Sequence, residues 1–537
     1  MAWIRNIVLK VRYRISFNLR WEVRSRFFRN WINSWIKSPL AASSPSGHPV
    51  AVVVCPWLGT FTPWYAIALA IFLAIRGRPV TILMDDMLFG TDARMHRKVL
   101  KSIERALRLL EGRFEIRWLS DVKSVKTDTD TTVTSLKHVV ARLAQLNTTW
   151  FMRGESPAQG RDGYRILIEY QLHGIAMRVD ACLQPNQYEY VLIPGGIYGS
   201  SGLWYEIAKQ RGIRPVTYDS GAGVAVFSAD GIASQLQDIP RAFEILRKTN
   251  GVHDWILSQS QIEFKQRQQG RDKFAYQISS AAAGDIADMQ GILMALNSPW
   301  DSACLGLHSA FADTTEWIIE TVRWVMEHTD ETIIVRQHPA ERFPTARSLD
   351  NVGKLLLDTF GQQPRIRFVA ADSPINTYDL LGRVRGVLVH TSTLGVEAAM
   401  MGKVVITASN SYYADMGFVY KASSKEQYFE LIRKQIIGEL SVDKAKTEAA
   451  TYFYYLGQCC NWIYGEFNVD NYPAWVATDI HTLYKLDEVQ LILNAIDANI
   501  PISILQHEKK YSLRETSRSI CVAAPSTALP EHFRPRI

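Results

Sequence analysis

Cysteine is scarce in this chain: six among 537 residues, none in a C-x-x-C spacing. That argues against a disulfide scaffold or a zinc ribbon and suits reduced thiols in a cytoplasmic protein. Adjacent Cys459 and Cys460 match no zinc-ligand pattern, Asp85-Asp86 is not a D-x-D triplet, and no His/Cys cluster stands out. No metal site is therefore expected. Long apolar runs are missing as well. The strongest, Trp64 to Ile75, has twelve residues, whereas a membrane span needs about 20. Pro56, Gly59 and Pro63 interrupt the chain upstream, so residues 38–75, which carry no formal charge, read as a buried strand, a turn and a buried helix. No secretory-signal pattern is evident, and no internal repeat of short period.

A strong overall charge is also absent. The net charge of +7 is modest for this length, and no nucleic acid partner is expected. Its distribution is uneven: the first 38 residues hold nine basic side chains and one acid, Glu22. Trp3, Tyr13, Phe17, Trp21, Phe27, Phe28, Trp31 and Trp35 are interleaved with those cations. Basic side chains with aromatic anchors suit an anionic membrane surface; a helix packed on the body with a solvated basic face is the alternative. The segment 1–40 is thus expected to hold a cytoplasmic protein on the inner face of the cytoplasmic membrane.

What is present is a succession of short apolar runs alternating with helix-length segments. Val50–Cys55, residues 80–86, Tyr190–Pro194 and residues 214–221 read as strands of an α/β domain over 50–260. A polar, Gln/Arg-rich stretch at 261–290 reads as a helical connection. Residues 291–296, 331–339, 365–370, 386–391 and 403–408 predict a second such sheet within 291–425, followed by helices over 426–508 and a disordered tail from 509 to 537. The fold class is accordingly α/β, with two Rossmann-like domains facing a cleft. In open parallel sheets ligands bind beyond the carboxyl ends of the strands, and the unusual loops gather there: PWLGTFTP, PGGIYGSSG, YDSG, NSPWDS, RQHPAER and HTSTLGVEA.

Two of these loops carry readable chemistry. In HTSTLGVEAAMMGKVVI (390–406) a strand gives way to hydroxyl side chains and then to a helix opened by Gly395. Helix N-termini suit phosphates, Ser392 and Thr393 add hydroxyl donors, and the Glu397 carboxylate can accept from ribose hydroxyls. The plain alternative is a capped helix, with Ser392 or Thr393 as the cap and Glu397 as its partner. In VRQHPAER (335–342), Pro339 stops the strand and fixes how His338 projects. A cationic or hydrogen-bond-donating imidazole there can meet the charge that develops on a departing phosphate, and Arg336 can do so in bidentate form. Otherwise His338 is a hydrogen-bonded loop residue and Arg336 an ion-pair partner.

The pair RxHP and TSTLGxEAxxxGKxVI, with Tyr412, Tyr413 and Gly417 further on, resembles bacterial capsule and surface-polysaccharide glycosyltransferases. It is similar to the Kdo-transferase and bacterial sialyltransferase groups and, more distantly, to the glycerophosphotransferases of teichoic acid synthesis. The resemblance covers residues 290–420 well and the N-terminal half loosely. It implies a metal-independent GT-B-like enzyme with a nucleotide sugar, a CMP-sugar by preference, as co-substrate and no other cofactor. His338 and Pro339 would form one nucleotide motif, Ser392 and Thr393 the other. The acceptor would be lipid-linked or an oligosaccharide. These families place an acidic D/E-D/E-G motif in the first domain to deprotonate the acceptor; here the match is Asp219-Ser220-Gly221, in which Ser220 departs from the pattern. Asp219 is the candidate general base, with an Asx-turn role as the alternative and Asp85 or Asp86 as rivals. Gly59, Asn297, Asp301 and Tyr412 are candidates for the acceptor side or the domain interface, while Trp300 fits packing equally well. An epimerase of UDP-N-acetylhexosamine type, a glycerophosphotransferase and a catalytically silent polysaccharide assembly protein are the other readings.

Overall fold

β-Branched runs that bury both faces become the strands of two sheets. The computed structural model describes residues 21–42, 45–57, 60–123, 130–221, 223–272, 286 and 289–523. The first sheet contains β1 (Val50–Val54), β2 (Val80–Met84), β3 (Glu115–Trp118), β4 (Tyr190–Pro194), β5 (Arg214–Gly221) and β6 (Val224–Ser228), in the spatial order β3-β2-β1-β4-β5-β6. All neighbours are parallel except β5 and β6, which pair antiparallel with Asp219 opposite Val226. The second sheet runs β12-β11-β10-β7-β8-β9, formed by β7 (Ile292–Ala295), β8 (Ile333–Arg336), β9 (Ile366–Val369), β10 (Gly386–Val389), β11 (Val404–Thr407) and β12 (Tyr420–Lys421), all parallel. Three strands were not expected. β3 lies at a sheet edge and is only partly covered, β6 pairs antiparallel with β5, and β12 has two residues. β3 and β12 lack the apolar run by which buried parallel strands are recognised, whereas β6 carries one, Val224–Phe227, and pairs antiparallel.

The uncharged stretch folds as expected. Helix α2 (Thr62–Ile75) is buried along nearly its whole length, with Pro63 in its first turn where no amide hydrogen is needed. Among the described residues no helix is long and apolar enough to cross a membrane.

The N-terminal segment departs from the expectation. Residues 21–36 form a helix, α1, in which Trp21, Phe28, Trp31 and Trp35 are buried in the first domain's core. Phe28 packs 5.0 Å from Trp64 and Trp31 lies edge-on to Trp475 at 5.8 Å. These four aromatics are core residues and are not available to a membrane; Trp3, Tyr13 and Phe17 lie outside the described residues.

The C-terminal quarter is also placed differently. Residues 463–502 return to the first domain: Phe467, Trp475, Leu483, Ile492 and Ile496 complete the core beneath α2. Ile463 exchanges both backbone hydrogen bonds with Ala225 on β6, closing that sheet edge. The tail expected from 509 is helical instead, within Ile502–Ala523. His507 and Tyr511 pack on the second core, and Tyr455 hydrogen-bonds the His507 ring at 3.0 Å. Its buried positions, Ile502, Ser503, Ile504 and His507, lie in the first two turns, and the polar sequence that follows them is what reads as a tail. Residues 524–537 lie outside the described part.

Candidate functional site

In the second sheet β7 is flanked by β8 on one side and β10 on the other, so the chain reverses direction of winding there and leaves a crevice. Asn297 follows β7, His338 follows β8, and Thr391 to Thr393 follow β10. Two adjoining cavities occupy this crevice. The inner one is lined by Arg336, His338, Pro339, Thr377, Tyr378 and Glu397, among others. The outer one, about 1230 Å³ with its open mouth, spans both domains and brings Tyr198, Asp219 and Ser220 of the first opposite Asn297, Asp301 and Thr391 of the second. Arg267, His338, Ser392 and Thr393 line both.

His338 is held by the turn that Pro339 starts. Its backbone is extended, and its Nδ1 accepts from the Ala340 amide at 3.2 Å, so the neutral ring carries its hydrogen on Nε2. Burial and the nearby Arg267 and Arg336 depress its pKa to about 4, against an opposing contribution from Asp301. The imidazole is therefore a neutral N–H donor near pH 7 and not a cation.

Arg336 is spent on structure. Its guanidinium donates to the Val369 carbonyl at 3.4 Å, the Ile375 carbonyl at 3.5 Å and Thr377 Oγ1 at 3.3 Å, and also to the Ala370 carbonyl. The residue is 2% exposed, and burial first, then Arg342, lower its pKa to about 10. It ties the 369–377 loop to β8, and the bidentate phosphate clamp expected of it is not the arrangement found.

The cation that does reach both cavities is Arg267, near the end of the helix His253–Gln268. It pairs with Asp272 at 3.1 Å and faces Glu397 at 3.6 Å, and its Nε donates to Tyr378 Oη at 3.2 Å. Tyr378 in turn donates to Glu397 at 3.0 Å. Burial alone would depress the Arg267 pKa, but Glu397, Tyr378 and Asp272 outweigh it and hold the group charged. Glu397, 2% exposed, thus holds Arg267 in place and is not a free carboxylate in the helix's first turn.

The Ser392–Gly395 turn is shaped by a close approach. Tyr413 donates to the Ser392 carbonyl at 2.7 Å, and a Cβ on Gly395 would stand 2.7 Å from that hydroxyl. Ser392 Oγ accepts from the Leu394 amide at 3.3 Å, as an N-cap does, whereas Thr393 makes no side-chain cap bond. Asn297 Oδ1 accepts from the Thr391 amide at 3.1 Å and so fixes β7's loop to β10's.

Across the cleft, Asp219 stands at the end of β5. Tyr198 Oη donates to its Oδ2 and the Ser220 amide to its Oδ1, both at 2.8 Å. Burial raises its pKa to about 6 even though both bonds favour the ionised form. Its rivals sit elsewhere. Asp85 is 1% exposed and bonded to Trp204 Nε1 at 2.9 Å, and Asp86 accepts from the Ser120 amide at 2.8 Å. Neither lines the two cavities. Asp301 lines the outer cavity, with Oδ1 accepting from the Ala303 amide at 3.0 Å. Trp300 packs under Arg153, whose guanidinium lies 4.7 Å from its ring centre. Tyr412 stacks on Phe453 at 5.4 Å among the helices of the second core and does not line the cleft. Gly59 lies outside the described residues.

Arg267 and residues 375–378, where a loop enters the helix Thr377–Arg383, gave no signal in the sequence, and within its loop Tyr198 was not singled out. Tyr198 belongs to the glycine-rich loop GGIYGSSG, and its ring lies between Trp57 at 5.5 Å and Trp150 at 5.2 Å. Gly199 has φ +65, and a side chain there would meet Trp57; the loop's glycines serve this packing. Arg267 is one of several cations in a polar stretch, and nothing local marks it out.

Two α/β domains, each with a six-stranded sheet, and a cleft between their strand ends define a GT-B-like protein. Residues 260–442 match the family described as "Capsule polysaccharide biosynthesis protein", and that segment contains both the His338 and the Ser392 loops. No curated protein matches the chain. Among solved structures, similarity extends to the Thermosulfurimonas dismutans KpsC beta Kdo 2,4 transferase, at 14% identity over 50% of this chain and 80% of that one, with a TM-score of 0.33. It extends also to S. aureus MnaA in its UDP co-structure, at 13% identity over 84% and 97%, TM-score 0.25. A third is Acinetobacter baumannii MurG, at 10% identity over 76% and 94%, TM-score 0.23. Such likenesses concern the fold and assign no residue.

Proposed function

We propose that the protein is a glycosyltransferase that moves a sugar from a nucleotide-activated donor, a CMP-sugar by preference, onto a lipid-linked or surface-polysaccharide acceptor. The observation that carries this reading is the opposition of Asp219 to His338, Ser392 and Thr393 in one cleft, with Arg267 between the two cavities. The inner cavity takes the nucleoside. The four residues common to both cavities meet the phosphate, and the outer cavity holds the sugar and the acceptor hydroxyl. Asp219 accepts the acceptor's proton as its oxygen attacks the anomeric carbon, and the bond from that carbon to the phosphate oxygen breaks. Charge then develops on the leaving nucleotide, where a preorganised N–H donor and a fixed cation stabilise it without reorganisation. His338 Nε2 and Arg267 supply these, with hydroxyl donors from Ser392 and Thr393.

A thermal-shift panel of CMP, CDP, UDP and GDP tests the donor site. A ligand at 100 times its dissociation constant stabilises by about 2.7 kcal/mol. Stabilisation by CMP is expected; a response to UDP alone would redirect the reading to a UDP-sugar enzyme, and a response to none would leave a silent assembly protein. Asp219→Asn should retain the CMP shift and lose transfer, and near-wild-type turnover would remove Asp219 from its role.

A further inference from the structure

Helix α3 (Ala93–Leu107) and the residue after it carry a cationic stripe that the function above does not use. Arg94, Arg97, Lys98, Lys101, Arg105 and Arg108 are all exposed. At 3.6 residues per turn they fall within an arc of about 100°. The opposite side of the helix, with Val99, Ile103, Ala106 and Leu107, is buried in the first core. Arg105 pairs with Glu22 at 3.1 Å and Arg108 with Glu104 at 2.5 Å. Among the described residues, Arg94, Arg97, Lys98 and Lys101 have no carboxylate partner. A row of unpaired cations along one whole helix face is costly through self-repulsion unless something anionic offsets it.

Next to it lies α1, joined to α3 through that Arg105–Glu22 contact. Its outer side presents Arg26 with two uncovered apolar residues, Val23 at 53% and Phe27 at 56% exposure. These two edge a groove completed by Tyr472, Pro473, Val476 and Ala477. We infer that α3 and the outer side of α1 together form the surface by which the protein docks on an anionic lipid bilayer, α3 supplying the charge and Phe27 with Val23 the apolar contact. A polyanion such as an acidic glycan or nucleic acid would use the cations but leave the apolar pair without a partner. This moves the attachment from the buried tryptophans of the N-terminal segment to side chains of α3 and α1 that face solvent.

The inference extends the reading of the cleft but does not share its test. Flotation of the full chain with phosphatidylcholine vesicles, with and without phosphatidylglycerol, measures docking; the CMP shift measures the cleft. Binding is expected to phosphatidylglycerol-containing vesicles and to weaken as salt rises. At a contribution of about fivefold per cation near the surface, Arg97→Glu/Lys98→Glu/Lys101→Glu should lose at least a hundredfold while keeping the CMP shift. Lys98→Arg/Lys101→Arg should bind as the wild type does, and Phe27→Ser should weaken docking without removing its salt dependence. Unchanged binding by the triple variant, or equal binding to heparin and to vesicles that is indifferent to Phe27→Ser, would overturn the proposal. So would no binding of the wild-type chain to phosphatidylglycerol.

Discussion

At the scale of single residues, the site separates side chains that face substrate from side chains that hold others. On the proposed reading Asp219 belongs to the first kind; burial raises its pKa and the Tyr198 hydrogen bond opposes that rise. A hydrogen bond donated to a carboxylate favours the ionised form, so the Tyr198 bond opposes the burial that raises Asp219 to about 6. In its proposed role as base Asp219 must be ionised, and kcat/KM should therefore fall as pH drops through about 6. Tyr198→Phe removes the bond, raises the pKa further and should move that acidic limb to higher pH, which a pH profile of both proteins would show. His338, already neutral with a pKa near 4, adds no limb in that range. Its proposed contribution is the Nε2 hydrogen, and His338→Ala should then cost roughly 100- to 1000-fold in kcat, as loss of one preorganised donor does. A loss below tenfold would mark His338 as a loop residue only. The two loops that hold His338 and Ser392 were legible because Pro339 and the Ser/Thr turn alter the local backbone in ways sequence displays. Arg336 was legible as unusual but not in its role, because the carbonyls it satisfies come from the 369–375 loop, brought to it only by folding.

At the scale of elements, the strand-to-helix turns decide where groups point. The turn at Ser392–Gly395 depends on Tyr413, whose hydroxyl reaches the Ser392 carbonyl only because Gly395 has no side chain. Gly395→Ala should displace Tyr413, destabilise the fold by about 1–3 kcal/mol as overpacking does, and weaken CMP binding more than Tyr413→Phe does. Calorimetry of CMP binding with a thermal melt of each variant would separate the two effects; equal CMP affinity in wild type and Gly395→Ala would show that the turn does not contact the nucleotide. Glycine beside a helix start is readable in sequence. That it is required by a tyrosine eighteen positions later is not, since the requirement exists only once the two are packed.

At the scale of the whole molecule, the chain does not divide where its sequence does. Residues 463–502 fill the core of the first domain and cover the open edge of β6. A chain ending at 462 should therefore lose the packing of Phe467, Trp475 and Ile492 around α2 and expose the helix's apolar surface. Its yield as folded protein and its melting transition should fall with the first domain, and a truncated chain that melts like the intact one would show this segment to be dispensable. The local composition of 463–502, several short helices with no distinctive pattern, says nothing about which core it joins.

Neighbours along the chain specified the local features: two series of buried strands from their β-branched runs, a buried and not membrane-spanning α2 from its length, and the strand-end loops from proline, hydroxyl and imidazole. These depend on neighbours within a few residues, where periodicity and turn chemistry act. Folding in space brought together the distant groups: Tyr198 on Asp219, Arg267 between Glu397 and the cleft, Trp21, Trp31 and Trp35 in the core instead of on a surface, and residues 463–502 in the first domain's core. The physical reason is that burial and charge pairing are set by what lies across space, and amphipathic or cationic segments carry the same pattern whether their partner is the protein's own core, another side chain or a membrane.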